Sequence, residues 1–369
     1  MSQRLRALLV LSGLALSDTT LAQSPVGAID LGCTPGMGIV PVCKFDRPED
    51  IVALPGGQAA IVSEYGSLDG RRAGKLTLYR PDDDSTARLY PPRAGEVAEV
   101  SDGPAWGTRD CPGAPGAALS PHGIHLAEVD GVWRLLVVNH GGRETIEMFE
   151  VRTSADGRDA SLVWRGCVTT PTNAWLNDVA NLPDGGLVTG HMTRRGTPEK
   201  ELLELEKSKA DSGFVWQWQP GDGWDQVRGT NGALPNGIEV SPDGAVIYVN
   251  YYYGDEVVAV ERATGKQLWS ADLSAPDNLS WARPGMLLDV SHRANLKDVI
   301  ECARAEAQTC TLPFAVVAID AASGVKTTVM EGGPPPLGAV TVAVPMGARL
   351  LLGSFVGNRL GRIENIALP

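Results

Sequence analysis

The sequence has no apolar run of about 18 residues beyond its N-terminal segment, so it offers no later membrane-spanning helix. It lacks any Cys-x-x-Cys spacing, which argues against a zinc site. It lacks a Gly-x-Ser-x-Gly elbow, which argues against a serine hydrolase of that type. Positive charge is short: 32 Lys and Arg stand against 44 Asp and Glu, a formal net charge of −12. An acidic surface of that size argues against nucleic acid as the main partner. Strong helical runs are few, and 43 Gly with 26 Pro speak against a helix bundle. What remains is a chain of 369 residues, long enough to bury a large core as one domain or two.

The first residues read as a leader. Arg4 and Arg6 precede the apolar stretch Ala7 to Leu16, and small residues follow to Ala22. That order is the one expected of a secretory signal peptide, residues 1–22, with the domain occupying 23–369. The expected location is secreted or periplasmic, with no membrane span in the mature chain. Export puts the six cysteines in an oxidising setting. Cys33 with Cys43 and Cys302 with Cys310 lie close enough to close small loops, which would leave Cys111 for Cys167. Six cysteines allow about fifteen pairings, so the connectivity stays open at this level.

One phrase recurs. It reads Pro48-Glu49-Asp50-Ile51, Pro121-His122-Gly123-Ile124, Leu176-Asn177-Asp178-Val179, Pro235-Asn236-Gly237-Ile238, Pro276-Asp277-Asn278-Leu279 and Leu337-Gly338-Ala339-Val340. Each copy is followed by a turn and a β-rich run. Leu182-Pro183-Asp184-Gly185 and Ser241-Pro242-Asp243-Gly244 are such turns, with the residues that hairpins favour. Further strand candidates lie between the copies. Four short strands per unit and six units predict an all-β fold, a six-bladed β-propeller. Long insertions break the pattern. Trp106 to Ala118 reads as a loop, Glu199 to Ala210 as helical, and Arg293 to Pro313 carries a cysteine pair. Long loops gathered on one propeller face usually cover a site.

The innermost strands of a propeller surround its axis. If each phrase opens an inner strand, Glu49, His122, Asn177, Asn236, Asp277 and Asn278 converge near one face. Two carboxylates and three amides are hard oxygen ligands, which suit calcium better than zinc. Asp50 and Asp178 follow one residue later, on the other side of the strand by simple alternation, and form a second carboxylate pair for a second calcium.

These residues resemble the paraoxonase/arylesterase group of calcium-dependent lactonases, within the wider set of SMP-30/gluconolactonase propellers. The resemblance is carried by PEDIVALPGG from Pro48, SPHGIHL from Ser120, LLVVNHG from Leu135, LNDVANLPDG from Leu176, PNGIEVSPDG from Pro235 and PDNLSW from Pro276. It implies a catalytic calcium on Glu49, Asn177, Asn236, Asp277 and Asn278. It also implies a structural calcium on Asp50, Asp178 and the backbone carbonyl of Ile124. His122 and His140 match the family's histidine dyad, and His292 one of its active-site histidines. The chain has no cysteine after Cys310, so the family's terminal disulfide is missing and closure must rest on strand pairing.

The expected chemistry is hydrolysis of a lactone or aryl ester. Calcium would polarise the carbonyl, and water would attack with His122 as general base and His140 as its partner. Glu49 or Asp277 is the alternative base. Rival readings are an SMP-30-type aldonolactonase and a non-hydrolytic propeller, either strictosidine-synthase-like or a binding scaffold. The Trp-rich stretch from Val215 to Trp224 reads mostly as packing between blades. Tyr251, Tyr252 and Tyr253 fit either a pocket mouth or edge packing.

Overall fold

The computed structural model describes residues 27–29, 32–93, 95, 98–100, 105–304 and 308–369. The expected leader, residues 1–22, lies outside the described residues.

Pro48–Ala53, Pro121–Val129, Ala174–Asn181, Pro235–Val240, Pro276–Arg283 and Val340–Met346 each open an antiparallel sheet. Six such sheets make a six-bladed β-propeller, numbered here one to six in that order. Blade six is completed by Val40–Val42, which pairs with Leu360–Ile363 through Val40 opposite Arg362. The first and last strands of the ring therefore close it by a backbone ladder. Cys33–Cys43 ties the closing strand to the segment before it.

The blades stack because their strands are apolar on both faces. Val257, Val258, Ala259 and Val260 are all buried and alternate in direction. Val257 and Ala259 join a core with Leu279 and Leu287 of blade five. Val258 and Val260 join one with Val188 and Val215 of blade three. Alternating side chains with both faces covered explain why such a strand reads as an unbroken apolar run. Six buried clusters of this kind fill the six spaces between neighbouring blades.

The insertions depart from the four-strand plan. Trp106–Gly107 adds a fifth strand, parallel to Ala160–Thr169, at the edge of blade two. Its Gly, Pro and charge content predicts a loop, and the edge of blade two instead takes Trp106 and Gly107 into the sheet. The Cys111–Cys167 disulfide and the Arg165 guanidinium 4.5 Å from the Trp106 ring centre hold it against the edge. The helical segment is α1 (Glu199–Ser208), and a second helix, α2 (Leu296–Arg304), lies inside the last insertion. They are the two α-helices among the described residues. Cys302–Cys310 ties the end of α2 to the short strand Thr309–Cys310, which pairs with Ala28–Ile29. The two small-loop pairings and the Cys111–Cys167 pairing left by elimination are all present.

Candidate active site

Each inner strand is irregular at the same place. Register shifts fall between Pro48 and Asp50, Pro121 and Ile124, Leu176 and Val179, Pro235 and Ile238, Pro276 and Leu279, and Val340 and Ala343. A bulge sets extra residues against the partner strand and breaks the period of two. In blades one to five the recurring phrase spans this irregular stretch; in blade six the expected copy, Leu337–Val340, is out of step, because the strand starts at Val340 and the irregular stretch runs from Val340 to Ala343. Asp50 and Asp178 each reach the next inner strand. Asp50 Oδ2 accepts from the Ile124 N–H at 2.6 Å, and Asp178 Oδ2 from the Ile238 N–H at 2.9 Å.

The chain enters these bulges through unusual backbone. Arg47, Asn173, Leu234, Ala275 and Ala339 each precede an inner strand, and all have positive φ. That conformation is costly for side chains with a Cβ. Gly123 and Gly237 answer a different need. A Cβ on Gly123 would strike Asp178, and one on Gly237 would strike the carbonyl of Asp277. The ring is too tight for a side chain at either place.

Neighbouring side chains fix the backbone of the ring from behind. Ser63 Oγ donates to the His122 carbonyl at 2.7 Å, Thr189 Oγ1 to that of Asp178 at 2.7 Å, and Asn250 Nδ2 to that of Asp277 at 2.6 Å. Thr341 Oγ1 donates to the carbonyl of Glu49. Blade six, which brings no carboxylate or amide side chain to the ring, contributes this hydroxyl.

The six predicted upper residues converge. Glu49, His122, Asn177, Asn236 and Asp277 line the floor of one cavity, and Asn278 is bonded to Glu49. Two amide nitrogens are committed sideways. Asn278 Nδ2 donates to Glu49 Oε1 at 2.8 Å, and Asn177 Nδ2 to the Met192 sulfur at 3.5 Å. A carboxylate only accepts, so the nitrogen of Asn278 faces it and its oxygen faces elsewhere. Asn177 Oδ1, Asn236 Oδ1, Asn278 Oδ1 and Glu49 Oε2 are buried and accept no hydrogen bond. Buried polar atoms are normally satisfied. Four bare oxygens in one ring match the hard donor set of a divalent cation such as calcium. No three His, Cys, Asp or Glu side chains among the described residues cluster as a metal site by themselves. Amides have to complete this one.

The electrostatics agree. Burial pushes the carboxyl groups of Glu49, Asp178 and Asp277 well above the usual range, and neighbouring carboxylates push them further. Burial raises Asp50 to about 7. Buried anions crowded this closely need protons or cations. The lower pair differs from the upper ring in one respect. Asp50 Oδ1 accepts from its neighbour Ile51 N–H at 2.7 Å, and Asp178 Oδ1 from Val179 N–H at 2.8 Å. Every oxygen of the lower pair thus has a backbone donor.

His122 Nδ1 lies 3.0 Å from His140 Nε2, and His122 Nε2 lies 3.9 Å from Glu49 Oε1. Tyr65 stacks on His122 with ring centres 4.8 Å apart. Burial, then the neighbouring His140, holds His122 well below the usual imidazole range. His140 is fully buried, and its Nδ1 meets Glu144 Oε2 at 2.9 Å. Glu144 also accepts from Arg195 at 2.6 Å and from the Leu176 N–H at 2.9 Å. Sequence reasoning missed Glu144 and Arg195, because neither lies in the recurring phrase. His292 is buried between Tyr252 Oη, 2.8 Å from its Nδ1, and the Val340 carbonyl, 2.7 Å from its Nε2. Its Nε2 is 3.6 Å from Asp277 Oδ2, and burial lowers it to about 4.

Two histidines without an expected role stand apart. His125 Nε2 meets Glu239 Oε1 at 3.1 Å, beside a separate depression that both residues line. His191 packs on Phe214. Trp216, Trp218 and Trp224 fill the space between blades two and three, as expected. The three tyrosines divide: Tyr252 and Tyr253 line the cavity, while Tyr251 packs in the core between blades three and four.

The cavity above the ring is about 530 Å³. Its walls are mostly apolar, built from Leu68, Trp175, Leu234 and Phe355 together with Leu202 of α1 and Leu296, Val299 and Ile300 of α2. The helices are joined by an Arg304–Glu199 ion pair and by the Leu296 N–H donating to Glu206 at 2.6 Å.

No protein-family model matches the chain, and no curated protein sequence does. Solved structures do match. A luciferin-regenerating enzyme is 14% identical, with a TM-score of 0.52, covering 89% of this chain and 96% of its own. A gluconolactonase from Xanthomonas campestris is 16% identical, with a TM-score of 0.49 and coverage of 92% and 95%. A virginiamycin B lyase from Staphylococcus aureus is 10% identical, with a TM-score of 0.46 and coverage of 85% and 93%. At such identities the likeness shows the propeller fold and leaves the activity to the site.

Proposed function

We propose that the protein is an exported, calcium-dependent hydrolase of lactones or aryl esters, of the paraoxonase/arylesterase kind. The observation that carries this reading is the ring of four bare, buried oxygens beside a buried histidine pair on the floor of an apolar cavity. Glu49, Asn177, Asn236, Asp277 and Asn278 would hold one calcium, which supplies Lewis-acid polarisation of a carbonyl when bound. A second calcium is assigned to Asp50 and Asp178, with the Ile124 carbonyl. Burial of the Asp178 carboxyl and repulsion from Asp50 beside it support it.

The chain's own groups do the rest. His122 takes a proton from the attacking water as the new C–O bond forms. The same proton passes to the leaving oxygen as the ester bond breaks, which makes hydrolysis proton-neutral at the histidine. His140 holds the His122 ring in place. Burial keeps His122 uncharged, which is the state a base requires. The apolar walls favour an aliphatic or aromatic lactone over a sugar lactone, whose hydroxyls would find few partners there. Three disulfides support an oxidising, extracytoplasmic location. No helix among the described residues is long and apolar enough to cross a membrane.

The test is hydrolysis of aryl acetates and aliphatic γ- and δ-lactones, with calcium, after chelation, and after calcium is restored. Turnover that disappears and returns supports the reading. A preference for gluconolactone favours the aldonolactonase. Tight calcium binding without turnover of any substrate favours a non-hydrolytic propeller.

A further inference from the structure

We propose that Glu144 is a positioning residue that sets which ring nitrogens of His140 and His122 carry protons, leaving His122 Nε2 bare toward the cavity. Arg195 Nη1 donates to Glu144 Oε2 at 2.6 Å, and the Leu176 N–H donates to Oε1 at 2.9 Å. With both oxygens engaged by N–H donors, the group acts toward His140 as an acceptor. His140 Nδ1, 2.9 and 3.0 Å from those oxygens, therefore carries its proton. A neutral imidazole has one N–H, so His140 Nε2 offers a lone pair. That lone pair is 3.0 Å from His122 Nδ1, which must then be the donor. His122 Nε2 is left without a proton. Its nearest carboxylate oxygen, Glu49 Oε1, is 3.9 Å away, too far to hold one there.

The arrangement spans two blades. Both histidines and Glu144 belong to blade two or its connections, whereas Leu176 and Arg195 come from the segment of blade three. Arg195 Nη2 also donates to the His140 carbonyl at 3.0 Å, so one guanidinium fixes the carboxylate and the backbone of the residue it orients. Leu176 directly precedes Asn177 of the ring. The carboxylate thus joins the histidine pair to a strand that also presents one of the bare oxygens.

The test reads tautomers directly, by two-bond nitrogen–proton correlation on the full-length ¹⁵N-labelled protein, calcium-loaded and chelated. Only five histidines contribute signals, and H122Q and H140Q assign the two that matter. The expected wild-type pattern is Nδ1–H on both His140 and His122. In Glu144→Gln the amide nitrogen must face Arg195, the Leu176 N–H or His140, so the pattern should be lost at both rings. In Glu144→Asp it should be kept. Where the hydrolase reading holds, Glu144→Gln also lowers kcat by about 10²-fold, with KM within about twofold. An Nε2–H tautomer on wild-type His122 overturns the proposal, whether or not the variants fold. An unchanged pattern in folded Glu144→Gln overturns it as well. The readout needs no turnover. A protein that hydrolyses none of the panel, yet shows the pattern and its loss in Glu144→Gln, loses the hydrolase reading and keeps this inference.

Discussion

Two layers of buried side-chain oxygens lie close together along the inner strands, and they are finished differently. In the upper layer, the oxygens of Glu49, Asn177, Asn236 and Asn278 include four with no donor at all. In the lower layer, each oxygen of Asp50 and Asp178 has a backbone N–H. Two of those donors, Ile124 and Ile238, belong to the next blade. The upper layer is built to meet something that comes from outside. The lower layer already ties blade one to two and three to four. On the proposed function, the difference separates a group needed for activity from a group needed for the ring.

The sharpest way to break that comparison is to swap charge for amide in each layer. Glu49→Gln and Asp277→Asn should lower kcat/KM by roughly 10³-fold, the scale of several kcal/mol of lost electrostatic stabilisation. The chelated variants should melt no lower than chelated wild type, because burial already favours the uncharged form of both carboxyl groups, which the amide imitates. A large loss of stability in these two would mean the upper carboxylates are structural, and the contrast between layers would fail.

pH gives the next largest effect and applies to the chelated protein. Asp50 is raised from 3.8 to about 7, so the folded state holds a proton there that the unfolded state has released. Its contribution is fully present below pH 3.8 and lost as pH rises through about 7. At its steepest the loss is about 1.4 kcal/mol per pH unit. His292, lowered to about 4, works the other way, and its contribution is lost as pH falls from 6.5 through about 4. Comparing chelated wild type with chelated Asp50→Asn cancels the histidine. The difference should move in favour of the variant as pH rises from 4 to 7, read by urea unfolding. Calcium should flatten it, if calcium neutralises the lower pair.

Asp178→Asn comes third. An amide cannot accept from both the Val179 and Ile238 N–H groups, so one donor is left facing an NH2 group. A buried donor without a partner costs about 1–3 kcal/mol. Calcium-loaded protein should unfold at correspondingly lower urea, while kcat per folded molecule changes less than in Asp277→Asn. Equal losses of kcat in the two variants would erase the distinction between the layers.

How much of this was readable beforehand follows from where the information lies in the chain. The phrase, Pro or Leu followed by a polar residue, recurs in five blades because their inner strands need the same turn inward, so the blades and the ring could be found from spacing; the copy expected at Leu337–Val340 lies ahead of the sixth inner strand, whose irregular stretch is Val340–Ala343. The bulges could not be found that way. Five of the six inner strands are entered through positive φ, at Arg47, Asn173, Leu234, Ala275 and Ala339, and none of these is a glycine that would announce it. Glu144 was invisible for another reason. It follows His140 in the turn Gly141-Gly142-Arg143, and its partners Arg195 and Leu176 are distant in sequence and adjacent only because blade three packs on blade two. Repetition reveals what every blade shares; contacts made once across a blade boundary leave no period to detect.

The smallest effect tests the finish of the upper layer at its weakest bond. Asn177 has no carboxylate beside its nitrogen; its Nδ2 meets only the Met192 sulfur, at 3.5 Å. A thioether is a weak acceptor, so this amide is the least firmly oriented of the three. Met192→Leu keeps the volume and the apolar wall of the cavity but removes the acceptor. Asn177 is then free to turn its amide, and its oxygen spends part of its time away from the ring. The expected result is less than about 1 kcal/mol, or a few-fold weaker calcium binding by calorimetry, with melting of the chelated protein unchanged. Met192→Gln should be milder, since its side-chain oxygen can accept the same hydrogen. Calcium affinity that ignores both substitutions would mean the Asn177 oxygen is held by the strand geometry alone, and that the bulge orients the ring without help from the second strand.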